Sequence, residues 1–317
     1  MGAAMSGIAV ITPGLLTTVQ DLGREGFGPL GVSPSGAADA VSLRIGNRLV
    51  GNEENVAGLE MTLLGGTFLF QENVIVAITG SDFGATISDQ AAPMWASFEV
   101  KTGATLRIGP TLSGARSYLC VRGGIVVDKF LASASTHVLS GTGGFHGRAL
   151  RKSDVLPIGK SKTHFQNSQL AAHAVERLAT RKTLRVTEGP QSDWFSDSVR
   201  SLFYTGAYRV TEDCNRMGLR LDGPLVQAQS DESMISEGVS LGAVQITSAG
   251  LPIILFVEQQ TAGGYPKIAN IISADMHSVA QLRPRDEIRF EPVTFEAARK
   301  LLLEQEELLA SAELFKP

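Results

Sequence analysis

The stretch richest in reactive side chains runs from Glu258 to Asp275 and reads EQQTAGGYPKIANIISAD. Its opening residues supply a carboxylate (Glu258), amides (Gln259, Gln260), a hydroxyl (Thr261), paired glycines (Gly263, Gly264), Tyr265 and Lys267. The apolar run Leu251 to Val257 precedes it, so the polar groups begin where a buried strand emerges. Strand exits of this kind commonly gather side chains around a pocket. An elaborate turn between two strands would use the same composition.

Further clusters fall on predicted loops. TVQDLGREGFGPLGVSPSGAAD, Thr18 to Asp39, holds Asp21, Arg24 and several glycines directly before a predicted helix. Such a loop can present backbone N–H groups and a guanidinium to a carboxylate or a developing oxyanion. It can equally hold Asp21 and Arg24 as a structural ion pair, with the glycines serving turns. Glu60 and Thr62 share one face of a short strand, and Gln245 and Thr247 repeat the arrangement. On an inward face Glu60 would need an arginine or a cleft, because an unpaired buried carboxylate is costly; at a strand end it could simply be exposed. DCNRMGLRLDGP and SEG add Arg216, Arg220 and Glu237, which surface pairing would satisfy equally well.

Whole reaction classes are missing from the motifs. Asp154 stands where a phosphate-binding loop ending in Gly159-Lys160-Ser161 would need glycine, and GVSPSG lacks the spacing of a nucleophile elbow. The histidines at 137, 146, 164, 173 and 277 have no zinc-ligand spacing, so no metal site is expected. A net charge of -4 gives no footprint for nucleic acid or an anionic membrane, and the longest apolar runs are strand-length. Two cysteines, Cys120 and Cys214, suggest no disulfide framework, which points to a reducing cytoplasm. MGAAMS fits the form of a myristoylation site, although a short Gly/Ala/Ser leader explains it more simply.

These groups must be positioned mainly by short β-rich runs: GTFLF, NVIVAITG, ATLRIG, SYLCVRGG, TLRVTEGP, AYRV, AVQITSAG, PIILFVE and EIRF. Many short strands with turn signals predict antiparallel barrels or sandwiches. Helices are predicted over Pro34 to Leu49 under a Ser33 cap, Asp193 to Phe203 under a Ser192 cap, and Thr294 to Leu314. The 317 residues exceed a typical domain of about 100–200. A polar, Ala-rich shift predicts domains at 1–160 and 184–317, joined by 161–183. The halves echo each other: Asp21-x-x-Arg24-x-Gly26 reappears as Asp213-x-x-Arg216-x-Gly218, suggesting related barrels.

GLEMTLLGG, SYLCVRGG, TEGPQSDWF, NRMGLRLDGP, SEGVSLGAVQI and EQQTAGGYPKIANIISAD follow one another as in the allophanate hydrolase subunit 2 family. The resemblance covers about Pro13 to Phe290. That family includes KipA-like proteins, also called the C subunit of 5-oxoprolinase, and the carboxyltransferase region of urea carboxylase. The resemblance implies a mainly β fold with a few helices, in two tandem cyclophilin-like β-barrel domains. It also implies a KipI-like allophanate hydrolase subunit 1 partner and a LamB/YcsF-like third subunit, which together open 5-oxoproline to glutamate with ATP. The alternatives are a carboxyltransferase half using biotin on a separate carrier, or a non-catalytic regulator that antagonises a histidine-kinase inhibitor. No cofactor is expected on this chain itself.

For an amide, lactam or ureido substrate, Gly263 and Gly264 N–H groups with Gln260 and Thr261 could bind a carbonyl or oxyanion. Lys267, Arg24 and Arg216 could hold a carboxylate, Asp21 or Glu60 could act as base, and Glu258 and Tyr265 complete the binding candidates. The chain departs from the family pattern in two places. LASAST (Leu131 to Thr136) has Ala132 and Ala134 where glycine and arginine are expected, and EQQTAGGYP substitutes Glu258, Gln259 and Ala262. Two arginines capable of bidentate anion binding are thereby lost.

Overall fold

The computed structural model describes residues 7–161, 165–229 and 234–316. The MGAAMS leader, and His164 with its neighbours Lys162 and Thr163 in the polar segment, lie outside them. The fold is mainly β, and each of the β-rich runs contains a strand. The chain divides into two compact units that are discontinuous in sequence. Residues 1–24, 35–177 and 311–317 make the first, and 25–34 with 178–310 make the second. The end of the chain joins the first unit because Phe315–Lys316 pairs with Gln169–Leu170. Residues 25–34 join the second, where the Ser33 hydroxyl donates to the Val257 carbonyl at 3.3 Å.

In the first unit one sheet has six strands, in the order Val155–Pro157, Gly7–Thr12, Thr67–Phe70, Thr105–Arg107, Thr86–Ile87, Gln90–Ala91. The other has five, in the order Leu16–Gln20, Gly58–Thr62, Arg116–Val121, Val74–Gly80, Ser97–Val100. Alternate residues of both sheets meet in one core: Ile8, Val10, Phe68 and Phe70 from the first, Leu59, Met61, Val76, Ile78, Leu119 and Val121 from the second. Because side chains alternate across a strand, Glu60, Tyr118 and Cys120 fall on the opposite face. Helix α1, Ala40–Leu49, packs on that sheet against Val74–Gly80 and Arg116–Val121. The approach is close enough that a Cβ on Gly46 would lie 2.6 Å from the Cys120 sulfur. Burial pushes the Cys120 thiol far up, out of reach of reactive thiolate chemistry.

The second unit contains a closed barrel of seven strands: Thr183–Glu188, Lys267–Ile271, Ala243–Ile246, Pro252–Leu255, Gly218–Asp222, Tyr208–Val210 and Glu287–Pro292. Parallel pairing of Thr183–Glu188 with Glu287–Pro292 closes it. Helix α2 is Ala172–Arg177 in the first unit. Helix α3, Asp197–Thr205, packs on the barrel, stacking Phe203 on Phe290 at 4.5 Å between centroids. Helices α4, Met276–Ala280, and α5, Phe295–Ala310, complete the described set.

Three helix boundaries differ from expectation. Helix α1 begins at Ala40, not Pro34, because Ser35 and Gly36 take left-handed φ values of 55° and 95° that a right-handed helix excludes. Asp39 is the cap, its carboxylate accepting from Ser42 N at 2.9 Å and Ser42 Oγ at 2.6 Å. The predicted helix from Asp193 is a 3-10 turn, Ser192–Trp194, broken by extended Phe195, and Ser196 caps α3 instead. Extended Ser311 stops α5 at Ala310, and its hydroxyl accepts from Glu313 N at 3.0 Å.

Candidate functional site

Asp21, Arg24 and Glu60 stand in the first unit, and the remaining candidates in the second. Asp21 follows the strand Leu16–Gln20 and is 2% exposed. Its carboxylate accepts from Gly23 N at 2.8 Å, Ser133 Oγ at 2.7 Å, Ser135 Oγ at 2.6 Å and Ala134 N at 2.6 Å. These bonds fix the LASAST segment to the strand end. Buried Arg24 donates to the Ser135 carbonyl and lies 5.4 Å from the Phe130 ring centroid. Ser133 and Ser135 carry no motif of their own, and nothing in the sequence marked them as partners of Asp21.

The LASAST departures now have a structural meaning. Ala134 joins the hydrophobic core, where the expected arginine would be buried. Ala132 takes φ 64°, a left-handed position that suits the expected glycine. Ala132→Gly is expected to raise the unfolding free energy by about 0.5–1 kcal/mol, since a left-handed alanine costs about 1–2 kcal/mol and glycine's extra unfolded-state entropy offsets part of the gain. Urea denaturation reads this directly, and a loss of stability would show the alanine methyl to matter more than the backbone.

Glu60 lies in the strand Gly58–Thr62 and is 1% exposed, so the exposed strand-end alternative does not apply. Its cross-strand partner is Tyr118, whose hydroxyl donates to Glu60 Oε2 at 2.7 Å. Oε2 also accepts from Ala38 N at 2.8 Å, and Arg116 Nε stands 3.7 Å from Oε1. The Tyr118 oxygen in turn accepts from Asp39 N at 2.7 Å. Burial first, then the Glu60 and Asp39 carboxylates, push the Tyr118 hydroxyl well above its ordinary range, keeping it protonated as a donor. Glu60 thus anchors the start of α1.

In the second unit, Arg216 Nε donates to Glu258 Oε1 at 2.6 Å, with side-chain exposures of 6% and 4%. The backbones are joined as well, Glu258 N donating to the Arg216 carbonyl at 2.8 Å. Gln259 is also buried; with its amide nitrogen turned to the Phe256 carbonyl, its oxygen accepts from Leu241 N at 3.2 Å. Gln260, Gly264 and Tyr265 are exposed, and Thr261 is half-buried.

Lys267 opens the barrel strand Lys267–Ile271 and is 3% exposed. Its ammonium donates to Glu237 Oε1, and Gln191 Nε2 donates to the same oxygen at 2.9 Å. Lys267 first, then Gln191, hold the Glu237 carboxyl below its usual range. Glu237–Gly238 pairs with Ala262–Gly263, setting Glu237 opposite Gly263. Gln245 is the register partner of Lys267, and a Cβ on Gly263 would come within 2.6 Å of both Gln245 Nε2 and Gln260 Nε2. The arrangement offers a buried cation and amide donors to an oxygen-rich ligand. Gln191 lies in TEGPQSDWF, where only the family resemblance drew attention to it. Among the described residues no group of three or more His, Cys, Asp or Glu side chains could hold a metal ion.

Residues 30–292 match the carboxyltransferase domain, subdomain A and B. The chain belongs to this carboxyltransferase domain family. It is 38% identical to the C subunit of 5-oxoprolinase from Escherichia coli (strain K12), over 94% of this chain and 95% of that protein. To the urea amidolyase of Saccharomyces cerevisiae it is 34% identical over 96% of its length, but spans only 18% of that protein. The crystal structure of Kluyveromyces lactis urea carboxylase superposes with a TM-score of 0.89 at 30% identity, covering 100% of this chain and 31% of that one. In this carboxyltransferase domain, then, the Lys267 cluster and the Arg216–Glu258 pair occupy the barrel unit, while the Asp21 and Glu60 networks organise the other. No helix among the described residues is long and apolar enough to cross a membrane.

Proposed function

We propose that this chain is the C subunit of a multi-subunit 5-oxoprolinase, opening the lactam of 5-oxoproline to glutamate with ATP. The similarity to the Escherichia coli 5-oxoprolinase component, which runs through nearly the whole of both chains, carries this reading. A KipI-like subunit and a LamB/YcsF-like subunit are the partners, the complex uses ATP, and Cys120 and Cys214, which form no disulfide, suit a cytoplasmic setting. In this reading Lys267 neutralises the substrate carboxylate, and Gln260, Thr261 and the Gly263 and Gly264 backbone donate to the lactam oxygen. Tyr265, exposed beside them, closes over the ring. Arg216 and Glu258 hold the strand exit in place. Asp21, Arg24 and Glu60 act as positioning residues, because their charged groups are already engaged by buried partners.

The family's carboxyltransferase name and the likeness to urea carboxylase favour a second reading, carboxyl transfer from biotin on a separate carrier. The purified chain with both partner subunits, ATP and 5-oxoproline is expected to release glutamate. An assembly that makes no glutamate yet carboxylates urea from carboxybiotin would replace the first reading with the second. A chain inactive in both assays that still binds its KipI-like partner would favour the regulatory role.

A further inference from the structure

We propose that Lys267, Gln191 and Gln245 form a seat for a ligand carboxylate with a neighbouring carbonyl, and that Glu237 occupies the carboxylate position as an internal stand-in. The identity of the ligand rests on the 5-oxoprolinase reading, whereas the seat itself rests on geometry.

The donors are held rigidly. Lys267 is 3% exposed, and Gln191 is clamped to its backbone twice: Gln191 Oε1 accepts from Lys267 N at 3.1 Å, and Gln191 N donates to the Lys267 carbonyl at 3.2 Å. A buried ammonium requires an anion, since desolvation is otherwise uncompensated. The anion here comes from the periphery. The Glu237 side chain is 46% exposed and sits on a two-residue strand. A fixed buried cation facing a half-exposed carboxylate is an exchangeable pair: an incoming carboxylate can take the same two hydrogen bonds while Glu237 turns to water.

The second observation is independent of that pair. Gln245 is 1% exposed, and its Nε2 has no hydrogen-bond partner among the described residues. Native structures seldom leave a buried amide donor unmet, and each instance calls for an explanation. Gln245 pairs in register with Lys267, and its Nε2 lies against Gly263, the partner of Glu237. The unmet donor therefore belongs to the same cluster. A side chain at Gly263 would come within 2.6 Å of that nitrogen and displace it. A purely structural ion pair explains Lys267 and Glu237 but leaves Gln245 unmet. A ligand with a carboxylate for Lys267 and Gln191, and a carbonyl for Gln245, satisfies all three. A lactam acid such as 5-oxoproline has both groups.

Titration calorimetry on the full-length chain tests the seat with three probes: 5-oxoproline, acetate, and 2-pyrrolidinone, which has the lactam without the carboxylate. Glu237→Gln removes the internal competitor and is expected to tighten 5-oxoproline and acetate by about tenfold, leaving 2-pyrrolidinone unchanged, because relieving an occupied state raises apparent affinity. Gln245→Met is expected to weaken 5-oxoproline and 2-pyrrolidinone, but not acetate. Circular dichroism of both variants establishes folding. Equal or weaker acetate and 5-oxoproline binding by folded Glu237→Gln would overturn the proposal. Tighter acetate binding in that variant, with no glutamate formed by the assembled wild-type complex, would uphold the seat and overturn only the 5-oxoprolinase reading.

Discussion

Replacing Glu60 with alanine is expected to lower the unfolding free energy by about 3–5 kcal/mol, the cost typical of breaking a buried charged pair from one side. The substitution strands several groups at once. Ala38 N and the Tyr118 hydroxyl lose the oxygen they share, and buried Arg116 loses the nearby carboxylate. Ala38 immediately precedes the Asp39 cap, so the start of α1 loosens together with the sheet face beneath it. Glu60→Gln keeps the volume and an acceptor oxygen, and is expected to cost only about 1–3 kcal/mol. Urea unfolding of the two variants separates the contributions. A Glu60→Ala chain with a wild-type midpoint would show that the carboxylate does not hold the helix, and would restore it as a candidate for proton transfer.

Arg216→Met is expected to be about as severe, roughly 3–5 kcal/mol, because it removes the guanidinium from a Glu258 carboxyl that is nearly solvent-free. The informative comparison is the double variant Arg216→Met/Glu258→Leu. Replacing both partners with apolar groups of similar size is often near neutral, so the pair of changes is expected to recover most of the loss. A double variant as unstable as the sum of the singles would mean that the two residues stabilise the unit independently. The departure at Glu258 also becomes intelligible. Glutamate is one methylene longer than the aspartate of the family pattern, and its Oε1 reaches Arg216 Nε at 2.6 Å.

The strands were legible because alternation and turn residues are local signals, and GTFLF, NVIVAITG and PIILFVE each became one. The start of α1 was not, because Ser33-Pro34 has the look of a cap and first turn while Ser35 and Gly36 turn left-handed just after it. Nothing in a short window distinguishes those two outcomes. The same limit applied to the site. Composition marked the segment holding Lys267, Gly263 and Gln260, but the partners of Lys267 come from 30 and 76 residues away. Glu60 was recognised as needing a partner, yet Tyr118 became one only through a strand register 58 residues apart in the chain.

The closing strand Phe315–Lys316 has a consequence for how the protein is made. Leu314 is fully buried, its carbonyl accepts from Ala171 N at 2.9 Å, and the Phe315 ring lies 5.0 Å from the Arg48 guanidinium carbon. The first unit therefore includes residues that follow the whole of the second unit in the chain. During vectorial synthesis Gln169–Leu170 waits without its strand partner until the whole of the second unit has left the ribosome. A stop codon at 311 would spare every barrel strand and still strip Gln169–Leu170 of its partner, so termination there damages the first unit and not the barrel that precedes the stop.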